Sequence, residues 1–219
     1  MHVILPTLAL ASVCELVDST CGMRYGTTLT PLLLLLGYAP AEVVPAVLPS
    51  ECVTGIMAGL MHHEFGNVDL SPDAPDFKVA LVLTGLSLVG VLVGVGIAVN
   101  IPSWALKVYI GLLVLVIALT ILKNHRREVL FSWRRMAGLG LLAAFNKGIS
   151  GGGYGPVVTG GQLLSGIKGR SAVGIASLAE GITSAVGAVA YLCSGAAVPW
   201  HLAPRSSWER YYQCPSAPT

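Results

Sequence analysis

Two glutamates and a lysine lie deep in strongly apolar parts of this sequence. Glu51 and Glu180 are each the only acid well inside their apolar segment, and Lys147 precedes a glycine-rich break. An ionisable group at membrane depth is costly unless it is paired, so each of them is a functional hypothesis by default. A low-dielectric site favours the protonated form of a carboxyl group, which suits proton coupling. The alternative is a neutral acid that hydrogen-bonds a carbonyl group of a broken helix.

Three charged residues flank breaks in the apolar pattern. Lys147 counters the charge of a bound anion in one interpretation, in which it also pairs with Asp18, and Arg24 is a second anion contact. In the other interpretation, Asp18 and Lys147 extend to a membrane face, as long charged side chains near helix ends do. The sequence leaves both interpretations open.

The glycine-rich break itself runs from Asn146 to Pro156. Glycine destabilises a helix interior by about 1 kcal/mol relative to alanine, and proline by more, so Gly151–Gly153, Gly155 and Pro156 predict a helix break. The backbone N–H groups freed there are suited to holding an anion, as helix N-termini are. Alternatively, the glycines only allow close helix crossing.

The predicted substrate-binding residues are Gly22, Arg24, Tyr25, Gly26, Lys147, Gly151, Gly152, Gly153, Tyr154 and Gly155. The predicted polar and coupling network is Asp18, Glu51, Thr54, Glu180 and Thr183. Thr30 and Thr159 are further hydroxyl donors, unless these threonines bond their own helix carbonyls.

The composition determines what kind of molecule must position these groups. Of 219 residues, 54% are hydrophobic and 11% charged, and the mean hydropathy is +0.73. Soluble domains have about 25% charged residues, so we expect an all-α, polytopic protein of the lipid bilayer. A net charge of +2 without a basic run argues against nucleic acid as a partner. The five cysteines show no metal-type spacing, and we expect no disulfide framework and no cofactor.

The apolar segments predict both intact and broken helices. Intact spans are expected at 41–61, 79–99, 104–122 and 171–193, with Gly90 and Gly94 forming a close-packing face. Residues 3–17 with 25–36, and 136–147 with 154–166, each read as two short helices around a break. Residues 62–78 form a polar loop, and 194–219 a tail that does not span. Residues 123–135 hold five of the thirteen Lys and Arg residues, so we expect them on the cytoplasmic side of the cell membrane.

The broken and intact segments recur at an offset of 129 residues. Between residues 22–54 and 151–183, ten of 33 positions are identical, including the Glu51–Glu180 pair. Internal repeats are common in transporter folds, so we predict two repeats, at 1–122 and 136–193, joined by 123–135 and followed by the tail at 194–219. The second repeat would then lack its last two helices, either as a truncated product or as a reduced form completed in a homo-oligomer. The relative orientation of the repeats stays open.

Residues 148–187, GISGGGYGPVVTGGQLLSGIKGRSAVGIASLAEGITSAVG, resemble the sulfite exporter TauE/SafE family of membrane transporters. The resemblance rests on the glycine cluster, the small residues up to Gly166 and the run at 170–178. The first-repeat counterpart at 18–59 fits more loosely, since the family usually has glycines where Cys21, Met23 and Arg24 stand. The resemblance implies export or uptake of sulfite, sulfonates or related small anions, without ATP hydrolysis.

We therefore predict a secondary anion transporter that is not an enzyme, with the proton as a candidate coupling ion. Two other classes are weighed against it. A non-transporting fragment or assembly module follows if the last helices are missing, and a membrane enzyme lacks a nucleophile–base or metal set. His62-His63-Glu64 reads as the start of a solvated loop rather than a metal site. The glycine-rich stretch lacks the Gly-Lys-Ser/Thr ending of a phosphate-binding loop.

Overall fold

The computed structural model describes residues 25–124 and 132–195. These residues form seven α-helices and, within the described ranges, no strand. The helices are α1 Tyr25–Leu35, α2 Pro40–Glu64, α3 Pro75–Ala98, α4 Ser103–Asn124, α5 Trp133–Ser150, α6 Tyr154–Leu164 and α7 Gly169–Cys193. The predicted all-α fold is thereby confirmed.

Three of these helices, α2, α3 and α7, are long and apolar enough to cross a membrane. Helices of 24 or 25 residues are about 36 Å long, which exceeds the roughly 30 Å hydrocarbon core of a bilayer. Large apolar side chains on the outer faces are exposed, and in a bilayer they meet lipid rather than water. They include Leu81, Val89, Leu92, Val93, Leu112, Leu115 and Val116.

The helices pack closely because small residues lie at their crossings. α3 packs mainly against α5, and α7 packs against both α2 and α3. A Cβ added at Gly90 would collide with the Leu141 carbonyl oxygen of α5, and one added at Gly94 would collide with the Phe145 carbonyl oxygen. On the facing helix, a Cβ at Gly148 of α5 would lie 2.6 Å from the Val91 carbonyl oxygen of α3. The predicted close-packing face at Gly90 and Gly94 is confirmed.

The structure corrects several predicted boundaries. The break covers Gly151–Gly153 alone, and Gly155 and Pro156 lie in the first turn of α6, where a missing proline N–H breaks no helical bond. Helix α5 has 18 residues and is therefore longer than the predicted short piece. The predicted loop at 62–78 is helical at both ends, because α2 continues to Glu64 and α3 begins at Pro75.

The helix bounds follow the offset found in the sequence. Helix α6 begins and ends 129 residues after α1, and α7 begins and ends 129 residues after α2. The internal repeat, its truncation and the four proposed segments stay predictions. The first short helix at 3–17, the centre of the basic loop at 125–131 and the tail from residue 196 lie outside the described residues.

Candidate functional site

A cluster of three buried charged side chains lies at the centre of the helix bundle. Lys147 Nζ lies 2.6 Å from Glu180 Oε1 and also donates to Glu51 Oε2. The exposed fractions of Lys147, Glu51 and Glu180 are 0%, 1% and 0%. The interpretation in which Lys147 extends to a membrane face is therefore wrong. The cause is its position on the inner side of α5, where two carboxylates from neighbouring helices meet it.

Three different helices supply the members of this cluster. Lys147 is in the last turn of α5, Glu51 is near the middle of α2, and Glu180 is near the middle of α7. Small side chains on α7 let it approach α2, since a Cβ at Gly181 would lie 2.7 Å from the Ile56 backbone nitrogen. The close crossing of α2 and α7 allows two carboxylates to share one ammonium group.

Glu51 also ties α1 to the cluster. Its Oε1 accepts a hydrogen bond from the Gly26 N–H at 3.0 Å, in the first turn of α1. The first N–H groups of a helix have no partner within the helix, so a carboxylate is a favourable acceptor there. A Cβ at Gly26 would collide with this carboxylate and lie 2.5 Å from the Gly151 carbonyl oxygen. The first residues of α1 therefore contact both the charged cluster and the helix break.

The break between α5 and α6 is built from glycines with left-handed backbone. Gly151 has φ 69° and Gly153 has φ 82°, values that non-glycine residues rarely adopt. The Gly151 N–H still donates to the Lys147 carbonyl at 2.8 Å and ends α5. The Gly153 N–H donates to Thr27 Oγ1 of α1 at 3.0 Å. These contacts place the start of α6 against α1, beside the charged cluster.

Hydroxyl groups from four helices bond across the helices around the break, and the sequence did not predict their partners. Tyr191 donates to the Gly148 carbonyl at 2.7 Å, Tyr154 and Ser87 hydroxyls lie 2.9 Å apart, and Tyr109 donates to Asn146 Oδ1. Burial raises the cost of leaving such groups unpaired, so each bond favours this one arrangement. The polar Asn146 beside Lys147 was the signal in the sequence for this network.

The structure brings together most of the predicted site residues that it describes. Gly26, Lys147, Gly151–Gly155 and the two glutamates surround one region at the break. Thr183 instead donates to the Ala179 carbonyl of its own helix at 2.7 Å, which is the alternative considered for these threonines, and Thr54 is half-buried. Asp18, Gly22 and Arg24 lie outside the described residues, and for Tyr25 the structure describes only the backbone at the start of α1.

A second, open cleft lies at the ends of α2, α3 and α7 and was not predicted. Its volume is about 650 Å³, and it is lined by His63, Asp69, Asp76, Lys168 and Arg170 among others. Hydrogen bonds from Ser71 hold the pKa of the exposed Asp69 carboxyl below its usual value. Glu180 is eleven residues after Gly169, which places the charged cluster about 16 Å further along α7. The described residues contain no group of three His, Cys, Asp or Glu side chains arranged to hold a metal ion.

Comparison with known proteins identifies the family. The family description "Sulfite exporter TauE/SafE" matches residues 7–205. The chain belongs to the sulfite exporter TauE/SafE family. It is 32% identical over 177 residues to the "Probable membrane transporter protein YtnM" of Bacillus subtilis (strain 168). That match covers 76% of this chain and 56% of the relative, so the chain spans little more than half of that protein. No solved structure matches the chain significantly.

The family is one of membrane transporters, so the chain is an integral membrane protein. The break at Gly151–Gly153 lies within the matched residues, as do Glu51, Lys147 and Glu180. The site at the break is thus part of the region that the family shares.

Proposed function

We propose that the chain is a secondary transporter of small anions, with sulfite or sulfonates as substrates, and that the anion binds at the break between α5 and α6. The observation that carries the proposal is the fully buried Lys147 beside that break, held by Glu51 and Glu180. Burying three ionisable groups is costly even when they are paired. In a membrane transporter, such a cluster marks a substrate or ion pathway by default.

The backbone at the break supports an anion rather than a cation as substrate. The N-terminus of α6 carries a partial positive charge, and anions are stabilised near such helix ends. Gly151, Gly152 and Gly153 have no side chains to keep a ligand from the backbone. The proposed substrate-binding residues are these glycines with Gly26, Lys147, Tyr154 and Gly155. Gly22, Arg24 and Tyr25 belong to the same proposal on the sequence alone.

The charge count of the cluster supports coupling to protons. With both carboxylates and the ammonium ionised, the cluster has a net charge of −1, which repels an approaching anion. One proton on Glu51 or Glu180 makes the cluster neutral, and a second leaves Lys147 as a net positive charge. We therefore propose that anion binding is accompanied by proton binding at this cluster. Tyr109 of α4, Tyr154 of α6 and Tyr191 of α7 are titratable groups with hydrogen bonds around the same break. Asp18 and Arg24 are proposed additions.

The proposal also covers the membrane location, the sidedness and the oligomeric state of the protein. We place it in the cell membrane with residues 123–135 on the cytoplasmic side, which the five Lys and Arg residues of that segment support. Assembly into a homo-oligomer is a further proposal from the sequence. No chemistry on the substrate is proposed, so the protein is not an enzyme in this account.

Flux through the purified protein in proteoliposomes tests the proposal. Vesicles loaded with sulfite, a short-chain sulfonate or chloride are diluted into substrate-free buffer, with and without a pH gradient. We expect saturable sulfite or sulfonate flux that responds to the pH gradient, above that of protein-free vesicles. Correctly inserted protein that moves none of these anions would overturn the proposed function, and flux insensitive to the gradient would overturn only the proton coupling.

A further inference from the structure

A small cavity adjoins the break on the side of α1 and α4. Its polar wall is formed by Thr27, Thr30, Ser150, Gly152 and Gly153, and residues of α4 close it on the apolar side. The cavity volume is about 10 Å³, which is room for roughly one water molecule or one oxygen atom of a ligand. The cavity thus has the size of a single-atom subsite, not of a whole substrate pocket.

The buried hydroxyl of Thr30 is the observation that indicates a ligand in this cavity. Thr30 is 1% exposed, and its Oγ1 has no hydrogen-bond partner in the described part of the chain. Buried polar groups are nearly always paired, so an unpaired hydroxyl at a cavity wall calls for a partner that binds there. The hydroxyl lies beside the break, since a Cβ at Gly151 would be 3.3 Å from Thr30 Oγ1.

The N–H groups of the break supply further donors at the same cavity. The Gly153 N–H donates to Thr27 Oγ1, and the Gly152 N–H donates to Ser150 Oγ at 3.2 Å. Both acceptors are side-chain hydroxyls, which can rotate away and be replaced by a ligand oxygen. An anionic oxygen is the stronger acceptor for such donors. It would also lie at the N-terminus of α6, where the helix dipole favours negative charge.

We propose that this cavity binds one oxygen atom of an oxyanion, through the Thr30 hydroxyl and the Gly153 N–H. The proposal rests on the anion transport proposed above and adds the subsite that holds one oxygen of the oxyanion substrate. Thr27 gives up its bond to Gly153 when the oxygen binds. The rest of the anion extends toward the Lys147 cluster, which Gly26 connects to the same wall.

Thr159, the counterpart of Thr30 at the repeat offset, is 7% exposed and its Oγ1 also lacks a partner in the described ranges, so it stays a candidate hydroxyl donor. The control is Thr84 of α3, which is half-buried and does not line this cavity. Replacing an unpaired buried hydroxyl by a methyl group of similar shape is expected to be neutral or stabilising. Thr30→Val and Thr84→Val should therefore both fold, and only the first removes a ligand contact.

The test measures the affinity of each variant for sulfite by flux and by sulfite-dependent thermal stabilisation. We expect Thr30→Val to weaken sulfite binding about tenfold, the effect of one hydrogen bond to a charged group. Thr30→Ser should keep near-native affinity, and Thr84→Val should equal the native protein. Native affinity in Thr30→Val would overturn the oxygen subsite while leaving the transport proposal intact. A native protein that neither binds nor moves sulfite or the sulfonate would overturn both.

Discussion

Lys147 Nζ lies 2.6 Å from Glu180 Oε1, and neither side chain is exposed. The same ammonium group also bonds Glu51, so one cation holds α2, α5 and α7 together. Helix α5 ends three residues after Lys147, and the break begins there. The ion cluster therefore fixes both the crossing of the long helices and the position of the break.

Lys147→Met should destabilise the protein by about 3–5 kcal/mol, because it leaves two buried carboxylates without their cation. Adding Glu180→Gln should recover part of this loss, with a coupling free energy of about 0.5–3 kcal/mol between the two positions. Denaturant unfolding of the native protein, both single variants and the double variant in detergent micelles measures this coupling. Strictly additive effects would show that the ion pair does not stabilise the fold.

Gly152→Ala should lower both stability and transport, because a Cβ there would lie 2.7 Å from the Gly26 carbonyl oxygen and 2.9 Å from the Thr27 Cα. Backbone atoms cannot move aside as a flexible side chain does, so α1 must shift away from the break. Thermal unfolding and sulfite flux are the measurements.

The control for this substitution is Gly138→Ala in α5, where an added Cβ meets no atom of the described residues within 4 Å. Alanine favours a helix by about 1 kcal/mol over glycine, so this variant should be as stable as the native protein or more so. Equal behaviour of the two variants would contradict the tight contact between α1 and the break.

Tyr191→Phe should destabilise the protein by about 1–3 kcal/mol, because it removes the donor to the Gly148 carbonyl. That carbonyl is in the last turn of α5, where carbonyl groups have no partner within the helix. Leu192→Ala, at an exposed position of the same helix, should change stability by less than about 0.5 kcal/mol. A tyrosine variant as stable as the native protein would show that the Gly148 carbonyl finds another donor.

Much of the fold was predictable because apolar length and glycine content report directly on membrane helices. The intact spans and a helix break within Asn146–Pro156 follow from these two properties alone. The exact ends were less predictable, since Gly155 and Pro156 disfavour a helix interior but are tolerated in the first turn of α6. Local sequence does not reveal which turn of a helix a proline occupies.

The candidate site was predictable in its members but not in its pairing. Glu51, Lys147 and Glu180 were identified because each is an isolated charge in an apolar segment. Their mutual contact was not predicted, because it depends on how α2, α5 and α7 cross. The sequence led us to expect Asp18 as the partner of Lys147. Asp18 lies outside the described residues, so its contact with Lys147 stays a prediction. The hydroxyl partners Ser87, Tyr109 and Tyr191 were missed, since a lone hydroxyl in an apolar helix usually has no function.

The role of Lys147 in anion transport is tested most directly by sulfite flux in proteoliposomes through Lys147→Met, with Lys107→Met as the control. Both are lysines in apolar helices, but Lys107 is exposed and Lys147 is buried in the ion cluster. The account predicts native flux in Lys107→Met and at least a tenfold loss in Lys147→Met, with both proteins inserted to the same extent. Native sulfite flux in Lys147→Met would contradict the account.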